Sequence, residues 1–388
     1  MKKSDITSDS FGRLVPTISG QMAFVPNNLP AEVEWTSELI AILSEANLVI
    51  GQLHGAGLNL PNPNLLITPF VRREAEMSSR IEGTQASIEQ LYLFEVEERA
   101  VEPKVPDVRE VANYAHALEY GLKRTQELPV CLRVLRELHE ILLRDARGDP
   151  RAPGQFRKVQ NWIGPAGCPI ERAAYVPPPP DQMATALDAF EKFLNAPLDK
   201  LPVLVWLAMV HYQFEAVHPF LDGNGRIGRL LITLLLCAKG ILDKPLLYLS
   251  AYFERRRQEY YERLLNVSLK GHWTEWLLFF LCGIIEQSKD AFEKARQLMD
   301  LQQQYHETVR VIKKSPGQIR LVDLLVERPV ITTVFVAQHL DVTYPAAKNN
   351  IAKLVKAGIL RETTGAKRNR IYIAEKVLEI INKPFSER

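Results

Sequence analysis

Apolar positions recur every three or four residues through most of this chain, and the stretches that carry the pattern are separated by short Pro- and Gly-rich breaks. After a polar, Pro-containing lead-in, "AEVEWTSELIAILSEANLVIGQLHGAG" (31–57) predicts a helix that stops at its glycines. "LPNPNLLITPF" (60–70) predicts a proline-interrupted connection, and "VRREAEMSSRIEG" (71–83) a short helix ended by Gly83, which without a Cβ suits a left-handed cap. Thr84 is placed to cap the next helix, "TQASIEQLYLFEVEERA" (84–100). Further amphipathic helices are predicted at roughly 107–126, 130–146, 181–195 and 201–217. One segment breaks the rule: in "FRKVQNWIGPAGCPIERAAYVPPPP" (156–180), Val159, Ile163 and Tyr175 flank a Gly/Pro turn, which predicts a β-hairpin. Beyond about residue 300, "IRLVDLLVER", "TTVFVAQHL", "TYPAAKNNIAKLVKAGIL" and "RETTGAKRNRIYIA" predict three helices and a two-stranded wing, a winged helix-turn-helix. The expected fold is mainly α, a helical bundle with a β-hairpin flap plus this C-terminal domain, divided at 1–105, 106–298 and 299–388.

Bulk composition narrows the picture only a little. A length of 388 residues is too long for one ordinary core, and 46% hydrophobic with 24% charged residues excludes extended disorder. A net charge of +2 does not mark the whole chain as a nucleic-acid binder. Cys131, Cys168, Cys237 and Cys282 are scattered and form no CxxC pair, so neither a zinc site nor a disulfide framework is indicated. Reduced thiols predict a cytoplasmic setting. The N-terminus lacks the apolar stretch of a secretory signal, and "LLITLLLCAKGIL" is shorter than a membrane span, so no membrane partner is expected.

The chemistry concentrates in "HPFLDGNGRIGR", residues 218–229. Gly223, Asn224 and Gly225 tolerate positive φ, so their backbone N–H groups can converge into an anion nest at the start of the helix that follows. Arg226 and Arg229, three apart on that helix, can both reach phosphate oxygens. Asp222 can hold the Mg²⁺ that accompanies a nucleoside triphosphate, and His218, with an ordinary pKa of about 6.5, suits a general base. Each feature alone is commonplace, since DG and NG mark ordinary turns, but their joint placement describes a phosphoryl or nucleotidyl transfer site. There is no GxxxxGK[ST] motif, and the glutamate of a calcium-binding loop is missing.

The stretch resembles, position by position, the HPFx[DE]GNGRxxR signature of the Fic family, which mostly transfers AMP from ATP to protein hydroxyls. The resemblance implies a Fic-type bundle in which His218 deprotonates a target Tyr, Ser or Thr hydroxyl, Asp222 binds Mg²⁺, residues Gly223–Gly225 form the anion hole, and Arg226 and Arg229 hold phosphates. Gly225 keeps the glycine form of the loop, which favours adenylylation over phosphorylation. "SSRIEG" puts Ser78 and Glu82 on one helical face and resembles the family's inhibitory motif [ST]xxxE[GN]. That implies a Glu82–Arg229 pair that misaligns ATP. Ile163 and Gly164 fall where the family's flap approaches the ligand, and Tyr260 and Tyr261 where related proteins put aromatic rings near the adenine. Self-modification and a homodimer are further expectations of the resemblance, and in the family the same glutamate can help remove AMP.

In the C-terminal module, Lys348, Lys353, Lys356, Arg361, Lys367, Arg368 and Arg370 are opposed between Pro345 and Tyr372 only by Glu362. A basic helix and wing fit DNA phosphates, and winged helices also serve as protein-interaction modules. Three functions stay open at this stage: an autoinhibited adenylyltransferase, a DNA-binding regulator that senses nucleotide in the Fic pocket, and a de-AMPylating enzyme.

Overall fold

The computed structural model describes residues 11–58, 64–97, 107–144, 152–165, 167–198, 201–312, 316–365 and 369–385. A hairpin of β1 (Gly12–Pro16) and β2 (Met22–Pro26) precedes the helices α1 (Ser37–Leu58), α2 (Asn64–Ile81), α3 (Ile88–Glu97), α4 (Asp107–Arg124), α5 (Leu132–Leu142) and α6 (Pro180–Asn195). They are followed by α7 (Val203–Val217), α8 (Asn224–Ala238), α9 (Ser250–Arg255), α10 (Arg257–Lys270) and α11 (Trp273–Ile312). The C-terminal module is α12 (Pro316–Glu327), β3 (Val330–Thr332), α13 (Thr333–His339), α14 (Tyr344–Lys356), β4 (Arg361–Glu362), β5 (Ile371–Ile373) and α15 (Glu375–Asn382). The mainly helical architecture and the winged helix-turn-helix agree with the sequence pattern.

Helix α7 is apolar on every side and buried nearly throughout, as expected of a central bundle helix. It packs on α8, and the loop between them holds the candidate site residues. Helix α11, 40 residues and so about 60 Å long, lies against α1, α7, α9 and α10 and runs on to α12 and α15. The boundary expected at 298/299 therefore falls inside a continuous helix. Helix α1 has the length and composition of a membrane span, yet its stripe of Leu39, Leu43, Ala46, Ile50 and Leu53 is buried and it packs along α11.

Three local expectations need correction. Helix α2 begins at Asn64 rather than at Val71, and it carries Pro69 inside. The missing N–H of Pro69 removes one bond near the helix start, where burial of Leu65, Leu66, Phe70 and Val71 holds the turn. The cap of α3 is Ser87, not Thr84: Gln90 N–H donates to Ser87 Oγ (3.2 Å) and Ser87 N–H to Gln90 Oε1 (2.9 Å), a reciprocal capping box. The 156–180 segment is no regular hairpin, for among its described residues only Ile163 and Tyr175 form a β-bridge and a 3₁₀ turn occupies Ile170–Arg172. Pro165, Pro169 and Pro177–Pro180 lack the donors a longer ladder needs. The regular hairpin lies earlier, where β1 pairs antiparallel with β2, Leu14 opposite Phe24. Phe24 N–H donates to Val176 O (2.8 Å), so the hairpin braces the base of the flap.

The sheet of the C-terminal module has the order β3-β5-β4, with β4 and β5 as the wing. The module is not a separate bead, because α12 and α15 pack on α2 and β3 packs on α3. Buried ions join the parts: Arg72 on α2 pairs with Glu95 on α3 (3.0 Å) and with Glu119 on α4, while Glu95 also takes Arg328 beside β3 (2.7 Å). Removing the central carboxylate leaves Arg328 without its ion-pair partner and Arg72 with Glu119 alone, so Glu95→Ala is expected to destabilise the protein by about 3 kcal/mol in denaturant unfolding. Arg361→Ala, which opens an exposed pair with Glu375, is expected to leave the unfolding midpoint nearly unmoved.

Candidate active site

Helix α7 ends at His218, whose backbone turns left-handed (φ 50°, ψ 60°) while its N–H still bonds Phe214 O at 3.0 Å. A non-glycine residue in that region is uncommon and has to be held there. Several groups hold it. Asn224 closes the loop with both ends of its amide, accepting from Phe220 N–H and donating to Phe220 O, each at 2.8 Å. Arg157, buried beneath the flap, donates to His218 O (2.9 Å) and Pro178 O (2.6 Å), and Asn161 donates to Phe220 O (2.9 Å). Flap and loop are thus tied by side-chain to backbone bonds.

The second support is His139 on α5. Its ring stacks on Phe220 with 3.8 Å between centroids and 5° between planes. Gly154 N–H donates to its Nδ1 (2.9 Å), so the ring proton sits on Nε2 and is donated to Asp222 O (3.0 Å). Burial pushes its pKa down to about 4, which keeps this tautomer neutral at physiological pH.

Past the loop, Gly223 adopts φ 78° as the residue preceding α8, and the first turn of α8 begins at Asn224. The expected nest therefore sits at a helix N-terminus, where partial positive charge gathers. The carboxylate of Glu82, one residue beyond the end of α2, lies over it. A Cβ on Gly225 would run into Glu82 Oε1 and Arg229, so glycine there is what permits the approach. Arg229, 1% exposed, donates from Nε to Ser78 Oγ (2.9 Å) and from Nη2 to Ser78 O (3.0 Å) and Glu82 Oε1 (2.5 Å). Burial alone would push the Glu82 carboxyl up, but the charge and hydrogen bond of Arg229, with Arg226 behind it, hold it below the usual carboxylate range.

His218 Nδ1 faces Glu215 O at 3.3 Å, an arrangement in which Nδ1–H donates and Nε2 keeps its lone pair. Burial pushes its pKa down to about 4, partly countered by that carbonyl and by Glu82 and Asp222. The imidazole is thus a neutral proton acceptor across the neutral range, below the 6.5 of a free histidine. Glu215 is a neighbour that sequence reasoning missed. Burial pushes its carboxyl up to about 7 while Arg229 pulls it down, and its Oε1 is buried without a hydrogen-bond partner.

Other expected residues fall out differently. Ile163 and Gly164 are exposed on the flap, Ile163 in the single β-bridge. Tyr260 is 1% exposed, and Phe253 stacks on it at 4.4 Å. Its hydroxyl donates to His211 Nε2 (2.8 Å), so it belongs to the aromatic core and has no face left for adenine. Tyr261, 40% exposed, remains beside Glu82 and Arg229. Arg226 reaches Glu110 on α4 (Nη1 to Oε2, 2.8 Å), a partner without any local signature in the sequence. In the C-terminal module, Lys348 and Lys356 are exposed on α14, whereas Arg361 pairs with Glu375 at 2.5 Å and Lys367 and Arg368 lie outside the described residues. A cleft of about 610 Å³ between α11 and α12, against Leu65 and Leu66, holds none of the loop residues.

No group of three or more His, Cys, Asp or Glu side chains among the described residues is arranged to cage a metal. The half-exposed Asp222 carboxylate beside the nest instead fits Mg²⁺, which is commonly held by one or two carboxylates together with substrate phosphates.

Comparison with known proteins agrees with this layout. Residues 40–123 match the Fic/DOC family N-terminal model, 129–236 the Fic/DOC family model, and 319–372 an HTH DNA binding domain. The chain therefore carries a Fic core followed by a helix-turn-helix module. Proteins named protein adenylyltransferase Fic from Drosophila grimshawi and Drosophila willistoni are each 28% identical to it over 194 residues, 49% of this chain and 36% and 35% of theirs. The chain thus spans about a third of the length of the curated relatives it matches. Among solved structures, a Fic family protein from Desulfovibrio desulfuricans G20 superposes with TM-score 0.58 at 20% identity, covering 89% of this chain and 98% of that one. A Fic-1 fragment from C. elegans gives TM-score 0.52 at 22% identity, over 68% and 74% of the two chains. Both show the fold.

The buried imidazole makes a direct prediction. An NMR titration of the histidine rings is expected to find His218 neutral at pH 6, with a midpoint near 4. Because the Glu82 carboxylate favours the charged ring, Glu82→Gly is expected to lower that midpoint further. A midpoint at about 6.5, the free value, contradicts the site as described.

Proposed function

We propose that this Fic-core chain is a protein adenylyltransferase that moves AMP from Mg-ATP to a hydroxyl side chain and is held at low activity by its own Glu82. The observation that carries the proposal is the carboxylate of Glu82 lying across Gly225 onto Arg229, at the helix N-terminus where a phosphate chain would bind and near enough to the His218 ring to act on its charge.

In the reaction, His218 Nε2 accepts the proton of the target hydroxyl. The hydroxyl oxygen bonds to the α-phosphorus of ATP, the bond from that phosphorus to the bridging oxygen breaks, and pyrophosphate leaves. The first-turn amides of α8 stabilise charge on the phosphate oxygens, and Arg229 is the donor for the outermost phosphate. Mg²⁺, when bound at Asp222, supplies neutralisation of the phosphate charge. Ile163 commits its own N–H and C=O to Tyr175 and Ala174, so the exposed rim on either side of it, at Trp162 and Gly164, is where an extended target segment would pair, a pairing that tolerates varied sequence. Self-modification would use the same chemistry.

Glu82 acts here by competition. Its carboxylate and the terminal phosphate seek the same guanidinium, so ATP that enters with the pair intact lacks the contact that sets its α-phosphorus in line. A purely nucleotide-sensing role needs the anion nest but no base, and a neutral imidazole with its Nε2 lone pair favours the enzyme over the sensor. The exposed face of α14 with Lys348 and Lys356 is the surface assigned to DNA, with affinity that falls as salt rises.

Intact mass spectrometry after incubation with Mg-ATP and candidate target proteins tests the proposal. Glu82→Gly is expected to incorporate AMP roughly ten- to a hundredfold faster than wild type, and Glu82→Gly/His218→Ala not at all. Equal incorporation by wild type and Glu82→Gly rules out the inhibitory role, and incorporation that survives His218→Ala rules out the base.

A further inference from the structure

Arg226 takes part in a different circuit from Arg229. It is 3% exposed, its Nη1 donates to Glu110 Oε2 at 2.8 Å, and its Nη2 stands 3.6 Å from Asp222 Oδ1. Its Nε is buried without a hydrogen-bond partner. The guanidinium thus stands between two carboxylates, one on the first turn of α4 and one on the edge of the nest. Asp222 Oδ1 also accepts from Gly223 N–H (2.7 Å), and Asp222 is 40% exposed, so this carboxylate faces the open side of the nest. The same turn of α4 touches the segment after the inhibitory glutamate, where Gln85 N–H donates to Asp107 Oδ2 at 3.1 Å.

A cation approaching Asp222 meets the full positive charge of Arg226 a few ångströms away. In a buried setting that charge is poorly screened, and its effect depends on whether another anion has claimed it. We propose that Glu110 is a positioning residue for the metal-holding acid: by taking Arg226, it keeps that guanidinium from closing onto Asp222 and leaves the Asp222 carboxylate to a divalent cation. The proposal rests on the adenylyltransferase reading above. The ion pair that Arg226 makes with Glu110 is the tighter of the two, and a buried arginine deprived of one carboxylate turns to the next within reach. Without Glu110 that next group is Asp222, and a direct Arg226–Asp222 bridge would compete with the metal.

Mn²⁺ is the probe, with its free concentration read by electron paramagnetic resonance in the presence of ATP on the full chain. The background is Glu82→Gly/His218→Ala, which is open to nucleotide and unable to turn over. Adding Glu110→Gln, which keeps side-chain shape and removes the charge, is expected to weaken Mn²⁺ binding about tenfold, while ATP binding measured without metal is unchanged or tighter. Glu110→Asp is expected to recover most of the loss. In the catalytically competent Glu82→Gly background, Glu110→Gln is expected to raise the Mg²⁺ concentration for half-maximal rate, with kcat restored at saturating Mg²⁺. Unchanged Mn²⁺ affinity, or an equal loss of metal-free ATP binding, overturns the assignment to Asp222 and makes Glu110 a support of the fold alone. If the background with Glu110 intact binds no Mn-ATP, the adenylyltransferase reading itself fails, and this inference with it.

Discussion

Everything distinctive about the site follows from one ion pair formed over the first turn of a helix. The N-terminus of α8 gathers unpaired backbone N–H groups and the positive end of the helix dipole, and Arg229 adds a full charge that is almost wholly buried. Such a place attracts whichever anion is nearest. In this chain the nearest anion is covalently attached: Glu82, delivered by the end of α2 and admitted by the missing Cβ of Gly225. A tethered carboxylate has a high local concentration, and a free polyphosphate must displace it. In the proposed reaction, control thereby reduces to competition for one guanidinium.

The same constraint explains why α2 is so firmly embedded. Residues 70–79 are buried except Arg73, and the fully buried Glu74 accepts from Ser250 N–H (3.1 Å) and from Tyr114 OH (3.0 Å) on neighbouring elements. The C-terminal module grips the other side, through Thr68 to Glu327 and Arg73 to Asn382 (each 3.3 Å) and through the Arg72–Glu95–Arg328 ions. A helix held on so many faces does not swing away as a unit at low cost. The part with freedom is its end, where α2 stops at Ile81 and Gly83 takes φ 100°. If Glu82 is the lock proposed above, its opening belongs to the turn at Glu82 and the segment to Ser87, which Asp107 holds through Gln85.

What the sequence revealed, and what it hid, follows from how local each interaction is. The loop from His218 to Arg229 was legible because its histidine, aspartate, glycines and arginines are contiguous and each residue type suits a distinct chemical use. Ser78 and Glu82 were legible because four-residue spacing on a helix puts two side chains on one face. Glu110, His139, Arg157 and Glu215 were not, because their meaning comes only from contacts across the fold, up to 116 residues away for Glu110 and Arg226. The flap was half legible: Ile163 and Tyr175 do pair, but the prolines around them stop the ladder after one bridge. The β1–β2 hairpin was hidden in a short stretch with Pro16 and Pro26 at strand ends, and Tyr260 looked like a ligand contact because adjacent tyrosines on a helix do not disclose which one faces the core.

The most direct measurement is a pair of crystal structures of His218→Ala protein soaked with Mg-ATP, one with Glu82 and one with Glu82→Gly. With the glutamate present, Arg229 is predicted to remain on Ser78 and Glu82, with the α-phosphate turned away from the position of the histidine ring. With glycine in its place, Arg229 is predicted to touch the terminal phosphate and the α-phosphate to face that position. An Arg229 that binds the terminal phosphate while its pair with Glu82 stays intact contradicts competition for the guanidinium.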